Sequence, residues 1–275
     1  MSVLAGKRVA ISLGASFMGY ATHAGFLATL SQAGVEPVAL GGSSAGAIAA
    51  GLFAAGLSTE TIREAVLGTD LPLSFVKGTR WGLQQLRDIL TRCQPGLFDA
   101  LGAVRYFESL VGQRSIESLG DLRLLIAMAD LESQRTVFAE SGPLARAMAA
   151  SCAVPLLFSP LEWQGRLVSD GGVVHEAPVD PWFAADDIDV ILIHRIHQPE
   201  GLRPWLLPLR MIHTLAAAHH CVNDQWVTDR TEMARLHGKL MIILNTTSPS
   251  PSIFSRASRE ACYAAGEAAA RALLG

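Results

Sequence analysis

Gly42-Ser43-Ser44-Ala45-Gly46 stands between a short apolar run, Pro37-Val38-Ala39-Leu40, and a small-residue segment, Ala47-Ile48-Ala49-Ala50-Gly51-Leu52-Phe53. That order reads as strand, glycine-flanked serine, helix. The G-x-S-x-G spacing in this setting describes a nucleophile elbow, a turn so sharp that the residues two before and two after the serine must lack bulk. Gly42 and Gly46 meet that demand, and Ser43 and Ala45 are the small residues between. Glycine also tolerates close backbone approach and positive φ. A helix opening at Ala45 turns free N–H groups towards the serine oxygen and favours negative charge there. The five letters alone fit a glycine-rich turn before an alanine-rich helix equally well; the flanking strand and helix favour the elbow.

Two further segments extend the reading. Upstream, Arg8-Val9-Ala10-Ile11-Ser12-Leu13 has the apolar character of a buried strand and runs into Gly14-Ala15-Ser16-Phe17-Met18-Gly19, followed by helical Thr22–Leu30. A glycine-bearing loop between a first strand and a helix offers backbone amides to an anion. Downstream, Ala150-Ser151-Cys152-Ala153-Val154-Pro155-Leu156-Leu157-Phe158-Ser159-Pro160 leads to Ser169-Asp170-Gly171-Gly172 and then Pro178-Val179. Asp-Gly-Gly alone is ordinarily a turn. With Gly171 and Gly172 beside it, however, the Asp170 carboxylate is held firmly and can be approached closely from one side.

With these segments in this order, the chain resembles the patatin-like phospholipase family. The family's glycine-rich oxyanion loop, G-x-S-x-G, A-S-x-x-x-P-x-x-F-x-P and D-G-[GA] with a following proline turn all have counterparts between Arg8 and Pro178, and His23-Ala24-Gly25-Phe26-Leu27 fits its H-x-G-x-L. The resemblance implies a three-layer α/β/α sandwich with a mostly parallel central sheet. It makes Ser44 the nucleophile and Asp170 its only side-chain partner, a dyad without histidine. It places an oxyanion hole in Gly14, Ala15, Ser16, Phe17 and Gly19. Two departures stand out: Ala15 and Ser16 replace inner glycines of the loop, with no cation before Gly19, and His175-Glu176-Ala177-Pro178 stands where asparagine is more usual.

The implied chemistry is attack of Ser44 on an acyl carbonyl, proton transfer to Asp170, oxyanion binding by loop amides and hydrolysis of the acyl-enzyme, with no metal or cofactor. Burial of Asp170 would raise its pKa from about 3.9 and make it a better base. The reading is a serine-dependent lipid acyl hydrolase of phospholipase A or esterase type. Its alternatives are an esterase or thioesterase of small acyl substrates and, in another class, a lipid-binding pseudoenzyme with an impaired oxyanion loop. An α/β-hydrolase with a Ser-Asp-His triad is disfavoured, because Ser44 follows only the second apparent strand. His175 is read as pointing away from the serine, and no histidine is expected nearer to Ser44 than Asp170 is. The amides of Ala15–Phe17 are expected to face the space above Ser44 Oγ.

Composition agrees with one enzyme domain over 1–275. Half the residues are hydrophobic, 17% are charged and mean hydropathy is +0.31, as in a parallel sheet buried on both faces. A formal charge of -3 gives no electrostatic basis for nucleic-acid binding. Cys93, Cys152, Cys221 and Cys262 lack paired spacing and read as reduced thiols of a cytoplasmic protein. Lys7 and Arg8 before an apolar stretch do not make a signal peptide, since Gly14, Ser16, Gly19, His23 and Gly25 interrupt it, and no transmembrane run occurs. His194, His197, His213, His219, His220 and His237 match no metal-site spacing.

Strands are predicted at 122–128, 135–138, 166–168, 190–193 and 240–244. Helices are predicted at 45–55, 59–67 with Ser58 as N-cap, 83–91, 100–111, 144–150, 209–237 and 259–274. Thr246–Ser252 reads as a surface loop. The substrate implied is a lipid or acyl ester, with peripheral membrane contact; nothing indicates an oligomeric state. An apolar cleft at Ser44 is expected to be lined partly by the insertion at about 70–111, which carries Leu71, Leu73, Phe75, Trp81, Leu97 and Phe98 as a lipid-facing rim. Arg203–Leu209 is a second candidate rim.

Overall fold

The computed structural model describes residues 4, 6–76, 96–198 and 225–275. Its centre is an eight-stranded sheet. β1 (Val9–Leu13) and β2 (Ala39–Gly42) come first in the chain, then β3 (Gly96–Phe98), which lies outside this sheet. β4 (Arg123–Asp130), β5 (Arg135–Ala139), β6 (Leu156–Phe158), β7 (Leu161–Trp163), β8 (Arg166–Asp170), β9 (Val190–His197) and β10 (Leu240–Thr247) follow. The sheet order is β10-β9-β1-β2-β4-β8-β7, with β5 also paired to β4. From β10 through β4 all pairings are parallel, and β5, β7 and β8 add antiparallel ones. β3 and β6 form a separate two-stranded ribbon.

Alternation along the strands builds two cores. Val9, Ile11 and Leu13 of β1 and Val190 and Leu192 of β9 face a layer made by α1 (Tyr20–Gln32), α2 (Ala45–Ala54), α3 (Thr59–Leu67), α4 (Asp70–Ser74), α5 (Leu101–Val111), α6 (Leu144–Ser151) and α7 (Arg256–Leu274). Ala10, Ala39, Leu125, Ile191 and Ile193 face the other side. There Val179, Trp182, Phe183 and Ile188 pack with Trp226 and Ala234 of the helical stretch 225–236. Side chains two apart share a face, so a sheet apolar on both faces needs cover on both. The three-layer sandwich is the result.

The parallel register puts Leu13, Gly42 and His194 in one row at the carboxyl end of the strands. The loop at Gly14 and the turn at Ser44 therefore leave the sheet side by side, the usual place for ligands in open α/β sheets. Ser58 caps α3, its hydroxyl accepting from the Thr61 N–H at 3.1 Å. Strands and helices fall close to their predicted places. The helix predicted at 83–91 lies outside the described residues, as does the first part of that predicted over 209–237. The loop predicted over 246–252 begins two residues later, because β10 continues to Thr247.

The insertion at 70–111 requires a correction. Leu71 and Phe75, read as part of an exposed rim, are buried. They lie four apart on and just after α4, so they share a face, and Phe75 packs at 6.0 Å from Phe107 and 5.4 Å from Phe158 between ring centres. Trp81 and Arg203–Leu209 lie outside the described residues.

α1 and α7 pack through glycine on both sides. A β-carbon on Gly25 would stand 2.2 Å from the Tyr263 carbonyl oxygen, and one on Gly266 would stand 1.9 Å from that of Thr22. Backbone this close leaves no room for a methyl. Gly266→Ala gains about 1 kcal/mol of helix propensity but must push the helices apart, at about 3 kcal/mol. A net loss of about 2 kcal/mol is expected in urea unfolding, and an unchanged midpoint would contradict the close approach.

Candidate functional site

Ser44 has φ 51° and ψ −119°, a conformation that side chains other than glycine's rarely adopt. The neighbours that hold it there are identifiable. The Ser44 N–H donates to Ser151 Oγ at 2.9 Å, and the Ser151 hydroxyl donates to the Ala127 carbonyl at 2.7 Å, tying the elbow to α6 and β4. A β-carbon on Gly42 would meet the Gly46 carbonyl at 2.4 Å, and one on Gly46 would meet the Leu13 carbonyl oxygen at 2.1 Å. The Ser43 N–H donates to that same Leu13 oxygen at 3.1 Å.

Asp170 closes β8 with its carboxylate buried. Oδ2 accepts from Ser44 Oγ at 2.7 Å, and Oδ1 accepts from the Gly172 N–H at 2.7 Å. The Asp170 N–H and the Ser169 hydroxyl both donate to the Ala153 carbonyl, at 3.0 and 2.7 Å. Gly171 lies so close to the Ala127 carbonyl that a β-carbon would stand 2.2 Å from its oxygen. Burial pushes the Asp170 carboxyl up to about 6, opposed by hydrogen bonds from Ser44 and Gly172. It is thus mostly ionised at neutral pH yet a stronger base than an exposed aspartate. The nearby Cys152 thiol is pushed well above its ordinary value by burial and then by Asp170, with an opposing bond to Ser44.

The Gly14–Gly19 loop adjoins this pair: a β-carbon on Gly172 would stand 2.6 Å from Ala15 Cβ. Two of its amides are already committed. The Gly14 N–H donates to the His194 carbonyl at 3.0 Å, and the Ala15 N–H donates to the Glu176 carbonyl at 2.7 Å. Ala15, read as an oxyanion donor, is therefore corrected to an anchor of the loop. Among the described residues, no acceptor engages the N–H groups of Ser16, Phe17 or Ala45. The Ser16 side chain folds over Gly19, with Oγ 2.0 Å from where a β-carbon would be, so any side chain there would have to displace it.

The histidines are occupied elsewhere. His175 Nδ1 lies 3.1 Å from Thr136 Oγ1 and Nε2 lies 3.0 Å from Asp180 Oδ2. His23 and His194, both buried, meet through their Nδ1 atoms at 2.9 Å. Sequence reasoning gave no role to Ser151, nor did it see the paired histidines or the bidentate ion pair of Glu176 with Arg195, at 2.7 and 2.8 Å. Ser151 stood within a recognised motif; the other contacts join residues far apart in the chain. His197 ends β9 at the surface, and His213, His219 and His220 lie outside the described residues. Among the described residues no group of three or more His, Cys, Asp or Glu could hold a metal ion, and no helix is long and apolar enough to cross a membrane. A cavity of about 330 Å³ lined by Lys7, Asp186, Lys239 and Leu240 lies at the opposite end of the strands.

Residues 11–182 match the family described as patatin-like phospholipase. The chain belongs to that family. An uncharacterized NTE family protein of Mycobacterium tuberculosis is 33% identical over 183 residues, covering 63% of this chain and 45% of the relative. A counterpart in Mycobacterium bovis matches equally well. The chain thus aligns with less than half the length of these relatives. Among solved structures, VipD from Legionella pneumophila is similar in fold, with a TM-score of 0.59 at 12% identity over 98% of this chain and 66% of that one.

Asp170 gives a test of the site's energetics. A carboxyl whose folded pKa lies above its unfolded value binds its proton more tightly in the native state, so stability falls as pH rises from about 4 to about 6. The penalty at neutral pH is about 3 kcal/mol. Asp170→Asn removes it and weakens the bond with Ser44, worth about 1 kcal/mol. Urea unfolding at pH 7.5 is expected to show the variant about 2 kcal/mol more stable, with the advantage gone near pH 4. An advantage over the wild type no larger at pH 7.5 than at pH 4 would contradict the raised pKa.

Proposed function

We propose that this protein is a serine-dependent lipid acyl hydrolase acting on carboxylic ester bonds through Ser44 and Asp170. The observation that carries the reading is the 2.7 Å hydrogen bond from Ser44 Oγ to a buried Asp170 carboxylate, at a strained turn in a patatin-like chain. Ser44 attacks the acyl carbonyl as its proton passes to Asp170. The N–H groups of Ser16, Phe17 and Ala45, which lack protein acceptors, together with the amino end of α2, stabilise the oxyanion. Protonated Asp170 then returns its proton to the leaving alcohol, and water, activated by the same carboxylate, releases the acid. Histidine has no part in this scheme, since the rings of His23 and His175 are engaged away from Ser44.

Lipid is the proposed substrate because of the family and of the aromatic flanks of the insertion. Phe98, part-exposed on β3, lies 6.1 Å from Phe158 between ring centres, and Leu156, two residues before Phe158 on β6, is half exposed, with the buried Phe75 and Phe107 behind them. An acyl chain along such a surface contributes about 0.8 kcal/mol per buried methylene.

Two measurements test the reading. Hydrolysis of p-nitrophenyl esters is expected to rise from acetyl to decanoyl by more than tenfold in kcat/KM and to vanish in Ser44→Ala. A steady fall along that series would favour a small-ester hydrolase, and unchanged activity in Ser44→Ala would remove the serine from the mechanism. The pH–rate profile is expected to show one acid limb near pH 6, set by ionisation of Asp170.

A further inference from the structure

The Gly14–Ala15 peptide is held at both of its polar ends. Its carbonyl oxygen lies 2.9 Å from His23 Nε2, and its N–H donates to the Glu176 carbonyl at 2.7 Å. Behind His23 the contacts continue: His23 Nδ1 to His194 Nδ1 at 2.9 Å, then His194 Nε2 to Thr246 Oγ1 at 2.8 Å. All four ring nitrogens are thereby engaged, and the two rings are fully buried, with Phe26 stacked on His194 at 4.0 Å between ring centres.

With both rings neutral, only one arrangement of protons satisfies this chain. A carbonyl can only accept, so His23 Nε2 must carry the proton. His23 Nδ1 is then a lone pair and must receive the proton of His194 Nδ1. That leaves His194 Nε2 to accept from the Thr246 hydroxyl. A second proton on His23 would set N–H against N–H at the paired Nδ1 atoms, and one on His194 would turn the Thr246 hydroxyl from donor to acceptor. Burial lowers the pKa of both rings, His23 to about 4 despite an opposing bond to Gly14, and that of His194 is lowered further by His23. Glu176 and Arg195, the charged pair beside Gly14, neutralise one another.

We propose that His23 and His194 are positioning residues which, with Thr246, form a one-way hydrogen-bond chain that locks the Gly14–Ala15 peptide and so sets the orientation of the Ser16 and Phe17 amides. The proposal rests on the hydrolase reading above for its effect on rate, but not for its geometry. With the peptide pinned at Gly14 N, Gly14 O and Ala15 N, the plane cannot flip, and the loop leaves β1 in one direction. This compensates for the loss of the inner glycines at Ala15 and Ser16, since the loop is fixed from behind by side chains of α1, β9 and β10. Neither histidine touches the substrate; both act through the backbone of Gly14.

Long-range proton–nitrogen spectra of the full chain test the geometry. His23 is expected as the Nε2–H tautomer and His194 as the Nδ1–H tautomer, without titration between pH 5 and 8. The opposite tautomers, or titration near pH 6.5, would overturn the lock. Kinetics with p-nitrophenyl esters test its consequence. His23→Leu removes the donor to Gly14 and is expected to lower kcat by about tenfold or more with KM within about twofold. His23→Gln, which can place an amide nitrogen where Nε2 stood, is expected to recover most of the loss. Hydrogen exchange at the Ala15 amide should quicken in the leucine variant and not in the glutamine variant. If leucine leaves kcat and Ala15 exchange unchanged, or glutamine does no better than leucine at equal melting temperature, the proposal fails. If neither variant folds, the tautomers of the wild type decide. An inactive wild type with the expected tautomers would sink the hydrolase reading and leave the lock standing; an active one with titrating histidines would do the reverse.

Discussion

Everything at the carboxyl end of the sheet depends on how closely β1 and the start of α2 approach each other. The Leu13 carbonyl receives the Ser43 N–H and sits where a side chain on Gly46 would have to go. A methyl at Gly46 would push α2 off β1. It would relax the Ser44 backbone towards an ordinary conformation and lower its hydroxyl relative to Asp170. Strain of about 1–3 kcal/mol at one residue persists because rigid neighbours on several sides outvote it. Here the neighbours are the Ser151 hydroxyl, the Ala127 carbonyl and the β1 backbone.

The acid is built against its own stability. A carboxylate with two hydrogen bonds but no cation, inside a low-dielectric site, is harder to ionise than one in water. Elsewhere among the described residues the buried acids have a cation: Glu176 has Arg195, and Asp130 has Arg166. Asp170 is the buried acid, among the described residues, whose compensation comes from hydrogen bonds alone, and it faces the strained serine. Two unfavourable features in one place are what a site under functional selection looks like, because ordinary packing would have relaxed both.

The sequence made the local geometry of the candidate site readable, and for a physical reason. An elbow, a helix start and a Gly-Gly turn are fixed by steric limits on neighbouring residues, so Gly42, Ser44, Gly46 and Asp170 declared themselves. Strand periodicity likewise marked β1, β4, β9 and β10. Contacts made by the sheet's long-range register stayed hidden. His23 and His194 are 171 positions apart and meet only because β1 lies beside β9. The same pairing brings Arg195 to Glu176. Nor could residue identity tell that the Ala15 N–H was already engaged, since every residue but proline carries that donor. The short strands β3, β6 and β7 were missed because three residues show no period, and Leu156, with φ 71°, breaks the usual strand pattern. Leu71 and Phe75 were misjudged because apolar residues near a Pro and a Gly look alike whether they face lipid or core.

The interlock of α1 with α7 has a consequence for how the molecule is made. Thr22 hydrogen-bonds Ser248, 226 positions later, and its carbonyl lies against Gly266. During synthesis α1 emerges early, with Phe26, Leu27 and Leu30 apolar and their partners still untranslated. The parallel partner of β1 at β9 is also far behind. Contacts of such sequence separation are slow to close. The nascent chain therefore carries Ser44 on an incompletely covered layer until α7 follows, and the span most exposed to misassociation is the one that later surrounds Ser44.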